Sequence, residues 1–177
     1  VDENGVDVTG KAVGEIVGRS PFVMSGYWRR EEATRELAWS DATGRVFMRT
    51  GDLGEIDDDG LLFLRGRNKD LIISGGINVY PIDIETRLRE HPDVGDVCVL
   101  GVPDSKWGET PVAVVIPREG ASSGRESLMD WYNGGADKHL RLSRLLFRSE
   151  DFPRNTLGKV LKACLLYTSP SPRDLRK

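Results

Sequence analysis

Cysteine, histidine and long apolar runs are all scarce in this sequence of 177 residues. The two cysteines, Cys98 and Cys164, are too few and too far apart for a disulfide framework or a zinc site. A reducing, cytoplasmic setting is the expectation that follows. The two histidines, His91 and His139, stand outside any acid–base or metal-ligand pattern and read as structural. No run approaches the ~18 apolar residues that cross a bilayer. The start, Val1-Asp2-Glu3-Asn4-Gly5, is polar, lacks an initiator Met and carries no signal-peptide pattern. The chain is therefore expected to begin inside a longer reading frame. Net charge is −3, with acids and bases interspersed, so the basic footprint of a nucleic-acid binder is missing. Against these absences, 38% hydrophobic and 30% charged residues suit a soluble globular protein. The length allows one ordinary domain, or a small domain with part of another.

Apolar patterning places the elements. Residues 14–20 read as a short strand and the charged residues 30–37 as a helix. Residues 46–49 and 61–64 are strand candidates around Asp57-Asp58-Asp59-Gly60, which is a hairpin signal. A calcium loop is the sharper alternative there, but its twelve-residue ligand spacing is absent. Further on, Leu71-Ile72-Ile73 predicts a buried strand, and Gly75-Gly76 a turn from strand to helix. Pro81 suits the first turn of that helix, where its missing N–H has no partner to lose. Ile84 and Leu88 share one face, and His91-Pro92 ends the run. Residues 94–102 and 112–116 are apolar, β-branched strands joined by a polar loop containing Trp107-Gly108-Glu109. A helix begins at 127–132, Asn133-Gly134-Gly135 breaks it, and 145–147 form a last strand. Strands and helices sharing one core imply an α+β sandwich of about a hundred residues. Residues 164–174 resemble translated sequencing-adaptor sequence. With their Ser/Pro-rich composition, these residues are expected to make no packed core contact.

Four motifs stand in order: Arg49-Thr50-Gly51-Asp52, Gly66-Arg67-Asn68-Lys69-Asp70, Ser74-Gly75-Gly76-Ile77-Asn78-Val79-Tyr80-Pro81, and Pro153-Arg154-Asn155-Thr156-Leu157-Gly158-Lys159. Together they resemble the carboxy-terminal third of acyl-adenylate-forming (AMP-binding) enzymes. That superfamily holds acyl-CoA synthetases, luciferases and peptide-synthetase adenylation domains. The resemblance implies the end of a large AMP-binding domain over 1–69. A small mobile domain would follow over 70–162, with a tail from 163. Residues 72–81 look most like fatty-acid and aryl-acid CoA ligases. Ile73 stands where luciferases carry lysine, which argues against oxidative chemistry.

Adenylate formation brings a carboxylate to the α-phosphate of ATP, so positive charge must sit where negative charge develops. By resemblance Lys159 is the catalytic lysine that bridges the two anions; a solvated surface lysine is the plain alternative. Gly158-Lys159 is not a Walker loop, because Val160 replaces Ser/Thr. Asp52 and Arg67 match the residues that hold the AMP ribose; a salt bridge between them is the competing reading. Asp70 matches the hinge about which the small domain turns. Ser74, Gly75 and Gly76 match the loop lining the tunnel for CoA pantetheine, since glycines let a backbone approach a ligand closely. Trp107 either flanks that tunnel or covers the core. The function implied is part of an ATP-dependent acid–CoA ligase with ATP and CoA as substrates, inactive alone. Mg²⁺ ligands, the phosphate loop and the acyl pocket would lie outside the chain. The alternatives are a peptide-synthetase adenylation domain and a non-catalytic nucleotide- or partner-binding module.

Overall fold

The computed structural model describes residues 1–168, with side chains through Leu165. The chain divides into two compact units, Val1–Lys69 and Asp70–Lys177.

The first unit is an antiparallel sheet built on one long strand. Strand β1 is Gly14–Gly18, helix α1 Glu31–Glu36, β2 Ala38–Ser40, β3 Val46–Ile56 and β4 Leu62–Arg67. β1 pairs with β3, while β2 and β4 pair with successive stretches of it. The acidic stretch after β3 forms the expected hairpin. Asp57 Oδ1 accepts the N–H groups of Asp59 (3.0 Å) and Leu61 (2.8 Å), and Gly60 closes the turn at φ 79°. That carboxylate is thus used by the turn itself. Little of this unit is buried: Val1 and Leu53 are its buried apolar side chains among the described residues.

The second unit owes its core to strands that are apolar on both faces. After a 3₁₀ turn at Asn68–Asp70 come β5 Ile72–Ser74, β6 Ile77–Val79, α2 Pro81–Arg89, β7 Val94–Asp104 and β8 Gly108–Pro117. Then follow α3 Arg125–Gly134, β9 Arg144–Phe147 and α4 Lys162–Thr168. The sheet runs β6-β5-β8-β7, with β9 parallel to β8. Successive residues of a strand point to opposite faces. Val97 and Val99 of β7, with Ala113 and Val115 of β8, therefore meet Ile84 and Leu88 of α2 and Leu128 and Tyr132 of α3. On the reverse face Cys98, Leu100 and Val114 pack against Phe152 and Leu165. Helices and loops cover both sides, which explains the unbroken apolar runs. This is the α+β architecture expected.

Three expectations need correction. The Gly75-Gly76 turn leads into a strand, β6, and not into a helix: Ser74 pairs with Ile77 around it. Ile73 is 52% exposed, because alternation in the short β5 turns Ile72 and Ser74 inward and Ile73 outward. Leu165 lies fully buried in the second cluster, so the stretch 164–174 does reach the core. The rest of that expectation, from residue 166 on, concerns side chains outside those described.

Candidate functional site

The Arg49-Thr50-Gly51-Asp52 motif is a fastened corner of β3. Glu15 of β1 accepts the Gly51 N–H at 3.1 Å and pairs with Arg49 at 2.8 Å. Thr50 Oγ1 donates to the Ile16 carbonyl (2.8 Å) and accepts the Asp52 N–H (3.1 Å). Gly51 sits at φ 73°, where a side chain would be strained. These bonds aim Asp52, whose register partner across β4 is Arg67. Arg67 Nε lies 2.6 Å from Asp52 Oδ1, so the salt bridge weighed against ribose binding is formed. The two side chains remain 42% and 36% exposed, and a pair so open to water contributes about 0–1 kcal/mol. A cavity of about 350 Å³ lined by Gly51, Arg67, Asn68 and Lys69 opens beside them. Asp70 ends the 3₁₀ turn that follows, at the boundary between the units.

In the second unit, Lys159 is carried on a small self-bonded loop. Asn155 organises it: its Oδ1 accepts the N–H groups of Leu157 (3.0 Å) and Lys159 (2.9 Å). Its backbone exchanges bonds with the Lys159 carbonyl and the Gly158 N–H, both 2.9 Å. Gly158, at φ 81°, lets the chain double back. Lys159 is exposed, and its ammonium makes no ion pair among the described residues. Such a group is available to an anion.

Ser74, Gly75, Gly76 and Trp107 do come together. Gly75 (φ 61°) and Gly76 (φ 81°) are both left-handed, as a type I′ hairpin turn requires. The Gly75 N–H donates to the Trp107 carbonyl at 2.7 Å. A Cβ on Gly75 would stand 2.7 Å from Trp107 Cε3, so the indole lies directly on that glycine. Trp107 is 36% exposed, with the Lys106 ammonium 5.0 Å from its ring centre. It neither fills the core nor stands free; it flanks the turn. Ser74 pairs with Gly108. Sequence reasoning missed Glu109, whose Oε2 accepts the Ile73 N–H at 2.9 Å and ties β5 to β8. Its only signal was an acid at the mouth of an apolar strand.

The two surfaces of this unit sit at opposite ends of β7. Arg154, at the base of the Lys159 loop, bonds Asp96 at 2.7 Å. The N–H of Trp107 bonds Asp104 at 2.9 Å. Eight strand residues at ~3.3 Å each separate those anchors by roughly 26 Å. Between them, burial pushes the Cys98 thiol up to about 12, which keeps it neutral and unreactive.

Residues 83–159 match the family profile of the AMP-binding enzyme C-terminal domain. The chain is 43% identical over 152 residues to a long-chain-fatty-acid–CoA ligase of Mycobacterium tuberculosis, covering 86% of this chain and 29% of that protein. It is 40% identical over 162 residues to the indoleacetate–CoA ligase of Aromatoleum aromaticum, covering 92% and 31%. The solved structure of ATP-bound MatB from Rhodopseudomonas palustris matches with a TM-score of 0.84 at 37% identity, over 93% of this chain and 32% of that one. The chain therefore spans about 30% of the length of these relatives. The family expected from the four motifs is the one these comparisons find.

Proposed function

We propose that this chain, whose residues 83–159 match the profile of the AMP-binding enzyme C-terminal domain, is part of an ATP-dependent acid–CoA ligase working in two steps. In the first, a substrate carboxylate attacks the α-phosphate of ATP and pyrophosphate leaves. In the second, the CoA thiol attacks the acyl carbon and AMP leaves. Lys159 supplies the positive charge for the first step, where two anions meet. Asp52 and Arg67 hold the ribose: the carboxylate accepts from its hydroxyls while Arg67 keeps the carboxylate in place. The Ser74-Gly75-Gly76 turn, flanked by Trp107, lines the path of the CoA thiol.

The observation that carries this reading is the separation of the two surfaces along β7. One active site cannot face both at once, so the unit must turn between steps. Asp70, at the boundary between the units, is the position assigned to absorb that rotation. ATP is taken with Mg²⁺, to which this reading assigns no residue of the chain. No described helix is long and apolar enough to cross a membrane, and the reading assigns the enzyme to the cytoplasm. The test is Lys159→Ala in the full-length protein. Pyrophosphate exchange into ATP should fall by ~10²–10³, with thioester formation from supplied acyl-adenylate spared. Equal losses in both half-reactions would overturn the assignment.

A further inference from the structure

We propose that Arg154, held by Asp96, is a positioning residue that sets the reach of Lys159 in adenylation; this rests on the role given to Lys159 above. The guanidinium of Arg154 spans two acceptors on different parts of the fold. Its Nη1 donates to the Gly158 carbonyl at 2.8 Å, on the peptide just before Lys159. Its Nη2 donates to Asp96 Oδ2 at 2.7 Å, on strand β7. Asp96 is itself oriented: its Oδ1 accepts the Val97 N–H at 2.8 Å and lies 3.7 Å from Arg89.

The base of the loop has other supports. Phe152 and Val160 pack into the second core cluster, and Leu161 donates to the Pro153 carbonyl at 2.7 Å. The bonds of Asn155 hold the loop's internal shape but reach nothing outside it. Arg154 is thus the side chain that ties the tip, and with it Lys159, to the sheet. A rigid planar fork holds both acceptors in one fixed geometry, which the flexible stem and rotatable donors of a lysine do not impose. A misplacement of ~1 Å at a reacting centre can cost ~10²-fold in rate, so the tie is set where small displacements matter.

The experiment uses the full-length enzyme with Arg154→Ala, Arg154→Lys, Asp96→Ala, the Asp96→Ala/Arg154→Ala double variant, and Lys159→Ala as reference. Pyrophosphate exchange and thioester formation from supplied acyl-adenylate are measured on each, and the rate of tryptic cleavage after Lys159 on all but Lys159→Ala. Arg154→Ala should lower kcat of adenylation by about tenfold to a hundredfold, leave KM for ATP and the thioester step unchanged, and speed cleavage after Lys159. Arg154→Lys should lose nearly as much, and the double variant should be no slower than Arg154→Ala. Recovery with lysine would show that charge alone matters and overturn the proposal. Losses that multiply in the double variant, or both half-reactions falling together, would do the same. Unchanged cleavage after Lys159 would sink the tie itself. Failure of the Lys159 assignment shows separately, as full adenylation by Lys159→Ala.

Discussion

Alanine at Gly75 adds a methyl group where Trp107 already sits, and the neighbouring glycine supplies the control. Both Gly75 and Gly76 are left-handed, a conformation costing an L-residue roughly 1–2 kcal/mol. Part of that is offset by ~0.4–1 kcal/mol of lost unfolded-state freedom. At Gly76 nothing lies within 4 Å of the added Cβ, so Gly76→Ala should destabilise by only about 1 kcal/mol. At Gly75 the Cβ would come within 2.7 Å of the indole. The ring cannot move off with its backbone, because the Trp107 backbone N–H donates to Asp104 at 2.9 Å and its carbonyl accepts the Gly75 N–H at 2.7 Å. It must rotate off its site, at an overpacking cost of about 1–3 kcal/mol. Gly75→Ala should therefore destabilise by about 2–4 kcal/mol, and Gly76→Asn, which tolerates the left-handed region, by only a few tenths. Urea denaturation followed by far-UV circular dichroism measures the three, with the slope checked for constancy. Equal destabilisation by Gly75→Ala and Gly76→Ala would refute the packing of Trp107 on the turn.

Leu165→Ala should destabilise by about 2–5 kcal/mol, as for a buried leucine; an unchanged urea midpoint would show that Leu165 adds nothing to the cluster of Cys98, Leu100, Val114 and Phe152. Cys98, its thiol raised to about 12 by burial, should resist alkylation at pH 8 in the folded chain and react on unfolding. By linkage, a raised acid pKa favours folding below the ordinary value and loses that contribution as pH climbs from 9.0 toward 12. Cys98→Ser should flatten that alkaline decline, read from urea midpoints across the range. Asp70→Pro fixes φ near −65° at the proposed pivot. In the full-length protein it should keep pyrophosphate exchange and lose CoA-dependent turnover, whereas normal thioester formation would remove Asp70 from the hinge.

Much of this fold was legible because local chemistry agreed with the tertiary result. Pro81 opens α2, and Ile84 and Leu88 lie in the core as their spacing required. The acids around Asp57 made the hairpin. What failed was short or long-range. β6 has only three residues, wedged between two glycines and Tyr80-Pro81, and the Gly-Gly signal of a two-residue hairpin was read as the approach to a helix. Ile73 looked buried because a three-residue apolar run does not display its alternation. Leu165 was masked by the Ser/Pro-rich residues beyond it. The candidate residues could be named from motifs, yet their partners could not. Asp52 meets Arg67 only through strand register, and Asp96 meets Arg154 across 58 positions of sequence. No local pattern encodes such pairs.

The central claim is that one unit offers two surfaces, one for each half-reaction. Its most direct test sets Lys159→Ala beside Gly76→Asn in the full-length protein and measures both half-reactions on each. Gly76→Asn keeps the turn while adding bulk on the face assigned to CoA. The account predicts a crossed result: Lys159→Ala loses adenylation and retains thioester formation from supplied acyl-adenylate, and Gly76→Asn does the reverse. Two folded variants that each lose both half-reactions to the same extent would contradict it.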